Sequence, residues 1–148
     1  MDSPLEEQVR QRARGACEYC HMPQHLDYLP FQIDHIIARK HGGQSSEDNL
    51  ALACYYCNTY KGPNIAGIDP DSGEVVRLFH PRKDRWEHHF FWDGPLLHAH
   101  TPIGRATIRV LRINDPDYVA VRISLLAEGA FPPTSPAQQV NRKGGATA

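Results

Sequence analysis

The apolar positions of this 148-residue chain come in short runs, separated by polar stretches rich in Gly, Pro, Ser and Asp. Residues 4–14 carry Leu5, Val9 and Ala13 on one helical face, with Ser3 as cap, Pro4 at the first helical position and Glu6 and Glu7 in the first turn. Phe31 to Ile37 is a β-branched apolar run and predicts a strand, interrupted by Asp34 and His35. Residues 39–48 are a polar loop, and Leu50 to Ala53 is short enough to be strand or helix. Tyr55 to Lys61 predicts a short helix ended by Gly62-Pro63.

Beyond Lys61 the pattern changes. Asp69-Pro70-Asp71-Ser72-Gly73 is a turn, in which Pro presets φ and Gly supplies a positive φ, and Glu74 to Phe79 reads as a strand. Trp86 to Trp92 and Pro95 to His100 flank Asp93-Gly94, a tight hairpin signal that places His89 roughly opposite His98. Such a cross-strand pair reads as polar-face residues rather than a second metal site. Thr101-Pro102 and Asp115-Pro116 each open a helix, the first expected to reach about Ile113 and the second Glu128. Residues 129–148 lack apolar periodicity and are expected to be a disordered tail.

The four cysteines add a constraint. Cys17 and Cys20 form one C-x-x-C pair and Cys54 and Cys57 another, leaving no thiol over. Each pair can aim two thiolates at one Zn²⁺, and four sulfur ligands leave no open position, so the zinc is structural. The long gap from Cys20 to Cys54 must enclose structure of its own, and it contains the Asp34-His35 strand.

Length fits one domain, 1–128, and the charges nearly balance, with 16 Lys and Arg against 17 Asp and Glu. That excludes a protein that coats nucleic acid through net charge; any such binding comes from local clusters. The start MDSPLEEQVRQRAR has no apolar signal region and no run approaches a membrane span. A cytoplasmic location is expected, where paired C-x-x-C units indicate metal rather than disulfide.

Taken in order, Cys17-x-x-Cys20, Asp34-His35-Ile36-Ile37, Gly42-Gly43, Asp48-Asn49-Leu50 and Cys54-Tyr55-Tyr56-Cys57-Asn58-Thr59-Tyr60-Lys61 resemble the zinc-stapled branch of the HNH endonuclease family, with Asn58 where the family name expects a second His. The resemblance covers residues 17–61 and leaves 62–128 as an extension. It implies an α+β chain built on a ββα-metal core, with one catalytic divalent ion. Carried over, His35 is the general base, Asp34 and Asn58 ligate Mg²⁺ or Mn²⁺, and Asn49 braces the loop beside the His35 strand. Histidine suits that task because its ordinary pKa is near neutral. One tension stands: neighbouring strand residues face opposite ways, so Asp34 and His35 serve one phosphate only across the strand end or through a distorted strand.

His41, Lys61, Arg82, Lys83 and Arg85 are candidate phosphate contacts, the last three weighed against a solvated basic loop. The function these expectations point to is hydrolysis of DNA phosphodiester bonds. Sequence-specific cutting would need a homodimer or a specificity partner, since no recognition helix is evident. The competing readings are a zinc-stapled nucleic-acid-binding module without catalysis and a zinc-stabilised protein-interaction domain.

Overall fold

Local signals set most element boundaries. In the computed structural model, which describes residues 3–132, the Ser3 side chain accepts from the Glu6 amide at 3.2 Å and opens α1, Pro4–Ala13. α1 ends where Arg14 turns left-handed at φ 55°. The apolar run at 31–37 forms the shorter strand β1, Gln32–His35, and the run at 50–53 resolves as a strand, β2, Leu50–Ala53. They pair antiparallel, with Asp34 opposite Ala51 and His35 opposite Leu50. Helix α2, Tyr55–Lys61, follows at once, capped by the Cys54 sulfur, which accepts from the Cys57 amide at 3.4 Å. These elements make the ββα unit.

The extension adds two more antiparallel hairpins and three helices. β3, Ala66–Ile68, pairs with β4, Val75–Arg77, across the expected Asp69–Gly73 turn. α3, Trp86–His89, leads into β5, Phe90–Asp93, which pairs with β6, Leu96–Ala99. α4, Pro102–Val110, and α5, Pro116–Ala127, are capped by Thr101 and Asp115 as anticipated. A single hydrophobic cluster runs from Cys17, Tyr19, Cys54 and Cys57 through Phe79, Phe90 and Leu97 to Leu111, Tyr118 and Leu125. The ββα unit and the extension therefore share one core. No helix among the described residues is long and apolar enough to cross a membrane.

Three expectations need correcting. α4 stops at Val110 rather than Ile113, because Arg112 turns left-handed (φ 50°) and the Ile113 amide donates back to Ile108 O at 3.1 Å. That closure buries Leu111 and Ile113, so packing, not periodicity, sets the helix end. His89 does not face His98: residues 86–89 wind into a helical turn, Phe91 takes the place opposite His98, and the His100 amide donates to His89 O at 2.8 Å. Phe131, placed in the expected tail, is buried edge-on against Trp92 with ring centroids 4.9 Å apart; the rest of that stretch, residues 133–148, lies outside the described residues.

The buried Asp69 anchors the β3–β4 turn to α4. Its carboxylate accepts from Arg105 Nε at 2.8 Å and Nη2 at 3.0 Å, from Ser72 Oγ at 2.8 Å and from the Asp71 amide at 3.1 Å. The hydrogen bonds from Arg105 lead the effects that hold its pKa below the usual carboxylate range. A depressed folded-state pKa contributes stability that is complete above the unfolded value, about 3.9, and is lost as pH falls through the folded one. The expected result is a loss of stability below about pH 4 that is smaller in Asp69→Asn, measured by urea unfolding from pH 6 down to pH 3 with the native protein alongside.

Candidate metal and active site

The first knuckle turns through residues 17–22. The Cys17 amide donates to Met22 O at 3.0 Å, His21 takes a left-handed φ of 63°, and the Cys20 amide points at Cys17 Sγ at 3.5 Å. In the second knuckle the Cys57 amide likewise points at Cys54 Sγ, at 3.4 Å. All four cysteines are buried, and their sulfurs lie within 4.8 Å of one another. The Cys20 and Cys54 sulfurs are 3.7 Å apart. Tetrahedral ligands about 2.3 Å from one ion stand about 3.8 Å from each other, so this donor set suits a closed zinc site. Among the described residues it is the one group of three or more His, Cys, Asp and Glu side chains placed to hold a metal ion.

β1 is a regular strand, so Asp34 and His35 face opposite ways. Asp34 points inward and is 4 % exposed. Tyr19 Oη donates to its Oδ2 at 2.6 Å, and Lys61 Nζ lies 3.3 Å from Oδ1 and 3.1 Å from Oδ2. Lys61, at the end of α2, is 1 % exposed and donates also to His35 O at 3.1 Å and Ile36 O at 3.0 Å. Burial raises the Asp34 pKa, opposed by the charge of Lys61 and the hydrogen bond from Tyr19. Burial likewise pushes the Tyr19 hydroxyl well up.

Two sequence expectations fail here. Lys61 is not placed to meet a phosphate, because its three donors are spent on Asp34 and the carbonyls of His35 and Ile36. Asp34 does not fit a Mg²⁺ or Mn²⁺ ion, because its carboxylate is buried and already balanced by an ammonium and a phenol. Asn58, the partner expected for that ion, is half-buried on α2.

His35 faces outward and is half-buried. Its Nε2 lies 2.8 Å from Ser45 Oγ, and Arg39 Nε donates to it at 3.4 Å. Arg39 Nη2 also donates to Ser45 Oγ, at 2.9 Å. Arg39, Lys40 and His41 form one exposed turn, and Arg39 reaches the His35 ring. Sequence reasoning identified His41 but passed over Arg39, Lys40 and Ser45, which read as ordinary loop residues. A basic run four residues after the histidine was the available signal.

Asn49 lies 8 % exposed beneath this loop. Its Oδ1 accepts from the Ile37 amide at 2.8 Å, and its Nδ2 donates to Ile37 O at 3.0 Å and Gln44 O at 2.9 Å. Gly43 passes so close that a Cβ there would sit 1.7 Å from Ile37 O, which explains a glycine at that position. Asn49→Ala strands the Ile37 groups, and leaving a buried polar group unmet costs about 1–3 kcal/mol. The expected outcome is a loss of roughly 2 kcal/mol in urea unfolding of the metal-loaded protein; an unchanged midpoint contradicts the bracing role.

The basic loop after β4 is largely spoken for. Arg77 makes a bidentate pair with Asp84 at 2.7 and 2.9 Å. Arg82, expected as a phosphate contact, pairs instead with Glu18 of the first knuckle, whose other oxygen accepts from the Leu52 amide at 2.8 Å. Lys83 and Arg85 are exposed.

The family model for the HNH endonuclease matches residues 17–64. No curated protein and no solved structure matches the chain. The matched segment runs from the first knuckle through β1, the 39–49 loop and β2 to just past the end of α2. Residues 17–64 thus match the HNH endonuclease model and form a ββα unit whose four gathered cysteines could hold one metal ion.

Proposed function

We propose that this chain is an endonuclease that hydrolyses DNA phosphodiester bonds, with His35 as general base. The observation that carries the reading is the outward His35 ring beside the exposed Arg39–His41 turn, within the HNH segment. In this reading His35 takes a proton from a water molecule, whose oxygen bonds to phosphorus as one ester P–O bond breaks. Solvent protonates the leaving oxygen. Arg39 and Lys40, with His41, meet the phosphate charge, and Lys83 and Arg85 remain candidates for outlying phosphates. Arg39 Nε directs its proton at His35 Nε2, an arrangement that needs a lone pair on that nitrogen.

Positioning comes from inside the fold. Lys61 grips the carbonyls of His35 and Ile36, and Asn49 holds both polar groups of Ile37, so three successive residues of this segment are fixed. The four-cysteine site would hold Zn²⁺ as a structural ion, with every ligand supplied by protein and no position left for substrate.

One observation favours a second reading, a nucleic-acid-binding module without catalysis: the carboxylate expected to hold a catalytic ion is neutralised by Lys61. Incubating supercoiled plasmid with the zinc-loaded protein, in Mg²⁺, in Mn²⁺ and in EDTA, separates the two. Nicked or linear product supports the endonuclease. DNA binding that weakens with salt, with the plasmid intact in all three conditions, supports the module.

A further inference from the structure

Helix α5 lies outside the HNH match, yet it touches the four-cysteine site directly. Tyr118 Oη donates to Cys54 Sγ at 3.3 Å and lies 3.7 Å from Cys20 Sγ. One turn on, Arg122 is 0 % exposed. Its guanidinium sits over the Tyr118 ring at 5.3 Å and the Trp92 ring at 5.4 Å. Nε donates to Pro95 O at 2.7 Å, and Nη2 donates to Ile113 O at 2.9 Å and Asn114 Oδ1 at 3.2 Å. Nη1 is buried without a hydrogen-bond partner. Every acceptor is neutral, and among the described residues no carboxylate pairs with this arginine.

A buried guanidinium with only neutral acceptors is costly unless a negative charge lies close by. A divalent ion held by four thiolates carries a net charge of −2, and no other buried anion adjoins α5 among the described residues. We propose that Tyr118 and Arg122 are working parts of the metal site: Tyr118 hydrogen-bonds the Cys54 thiolate, and Arg122 supplies the buried positive charge that balances the metal–thiolate cluster. On this account α5 docks on the metal, and the segment beyond the HNH match is what retains the ion. Groups that hold metal ligands in place typically change metal affinity 10–100-fold when altered.

The test uses the full chain, loaded with Zn²⁺ for release and with Co²⁺ for spectroscopy. Tyr118→Phe deletes one oxygen and leaves the ring that packs on Arg122. It is expected to move the sulfur-to-cobalt charge-transfer band to lower energy, because a thiolate that loses a hydrogen bond gives up its electrons more easily. It is also expected to speed zinc loss to a chromophoric chelator about 10-fold. Arg122→Met should accelerate loss at least as much, with Arg122→Lys closer to native. Should Arg122→Met not fold, Tyr118→Phe decides alone. An unshifted cobalt band, or native zinc loss, in Tyr118→Phe overturns the proposal.

Discussion

Lys61→Met is expected to destabilise the protein by about 3–5 kcal/mol, the usual cost of removing one partner of a buried ion pair. The reason lies in what is left behind. Asp34 would stay 4 % exposed with only the Tyr19 hydroxyl to answer its charge, and the carbonyls of His35 and Ile36 would lose their donor. Whole domains are stable by only about 5–15 kcal/mol, so much of this one's margin would go. Asp34→Asn in the same background removes the stranded charge and should recover part of the loss, giving a coupling of at least about 1 kcal/mol in a double-mutant cycle. Urea unfolding of the zinc-loaded proteins measures all four corners. A surface lysine that merely meets phosphate would show the opposite pattern, with native stability and weaker DNA binding.

His35→Ala is expected to lower the rate of DNA cleavage by about 10²–10⁴-fold, the range a general base contributes. Stability should change little by comparison. The ring is only half-buried, its partners Ser45 and Arg39 both reach solvent, and the backbone carbonyl that Lys61 holds remains. The two substitutions thus act on adjacent residues' partners with different signatures: loss of fold from Lys61, loss of rate from His35.

The parts legible in the sequence were those set by local chemistry. Ser3, Thr101 and Asp115 cap their helices because each precedes a proline that fits the first turn. The two C-x-x-C units converge because four thiolates at that spacing have one efficient use, and the order of Asp34-His35, Asn49 and Asn58 carried the family. The parts that stayed hidden depend on which face a residue takes once distant segments meet. Glu18 and Arg82 pair across 64 positions of sequence. Lys61 looks like a helix-end lysine until β1 lies beneath it. β3 is three residues with a central glycine, and pairing with β4 rather than its own pattern makes it a strand. Asp34 read as a metal ligand because the sequence does not say that Lys61 and Tyr19 converge on it.

The central claim is that His35 activates water for cleavage of DNA. The most direct measurement is the rate of nicking of supercoiled plasmid by wild type and His35→Ala, prepared side by side and each shown to be folded with one zinc per chain. Nicking by the wild type with a loss of at least about 100-fold in the variant is the predicted result. Equal nicking by both contradicts it.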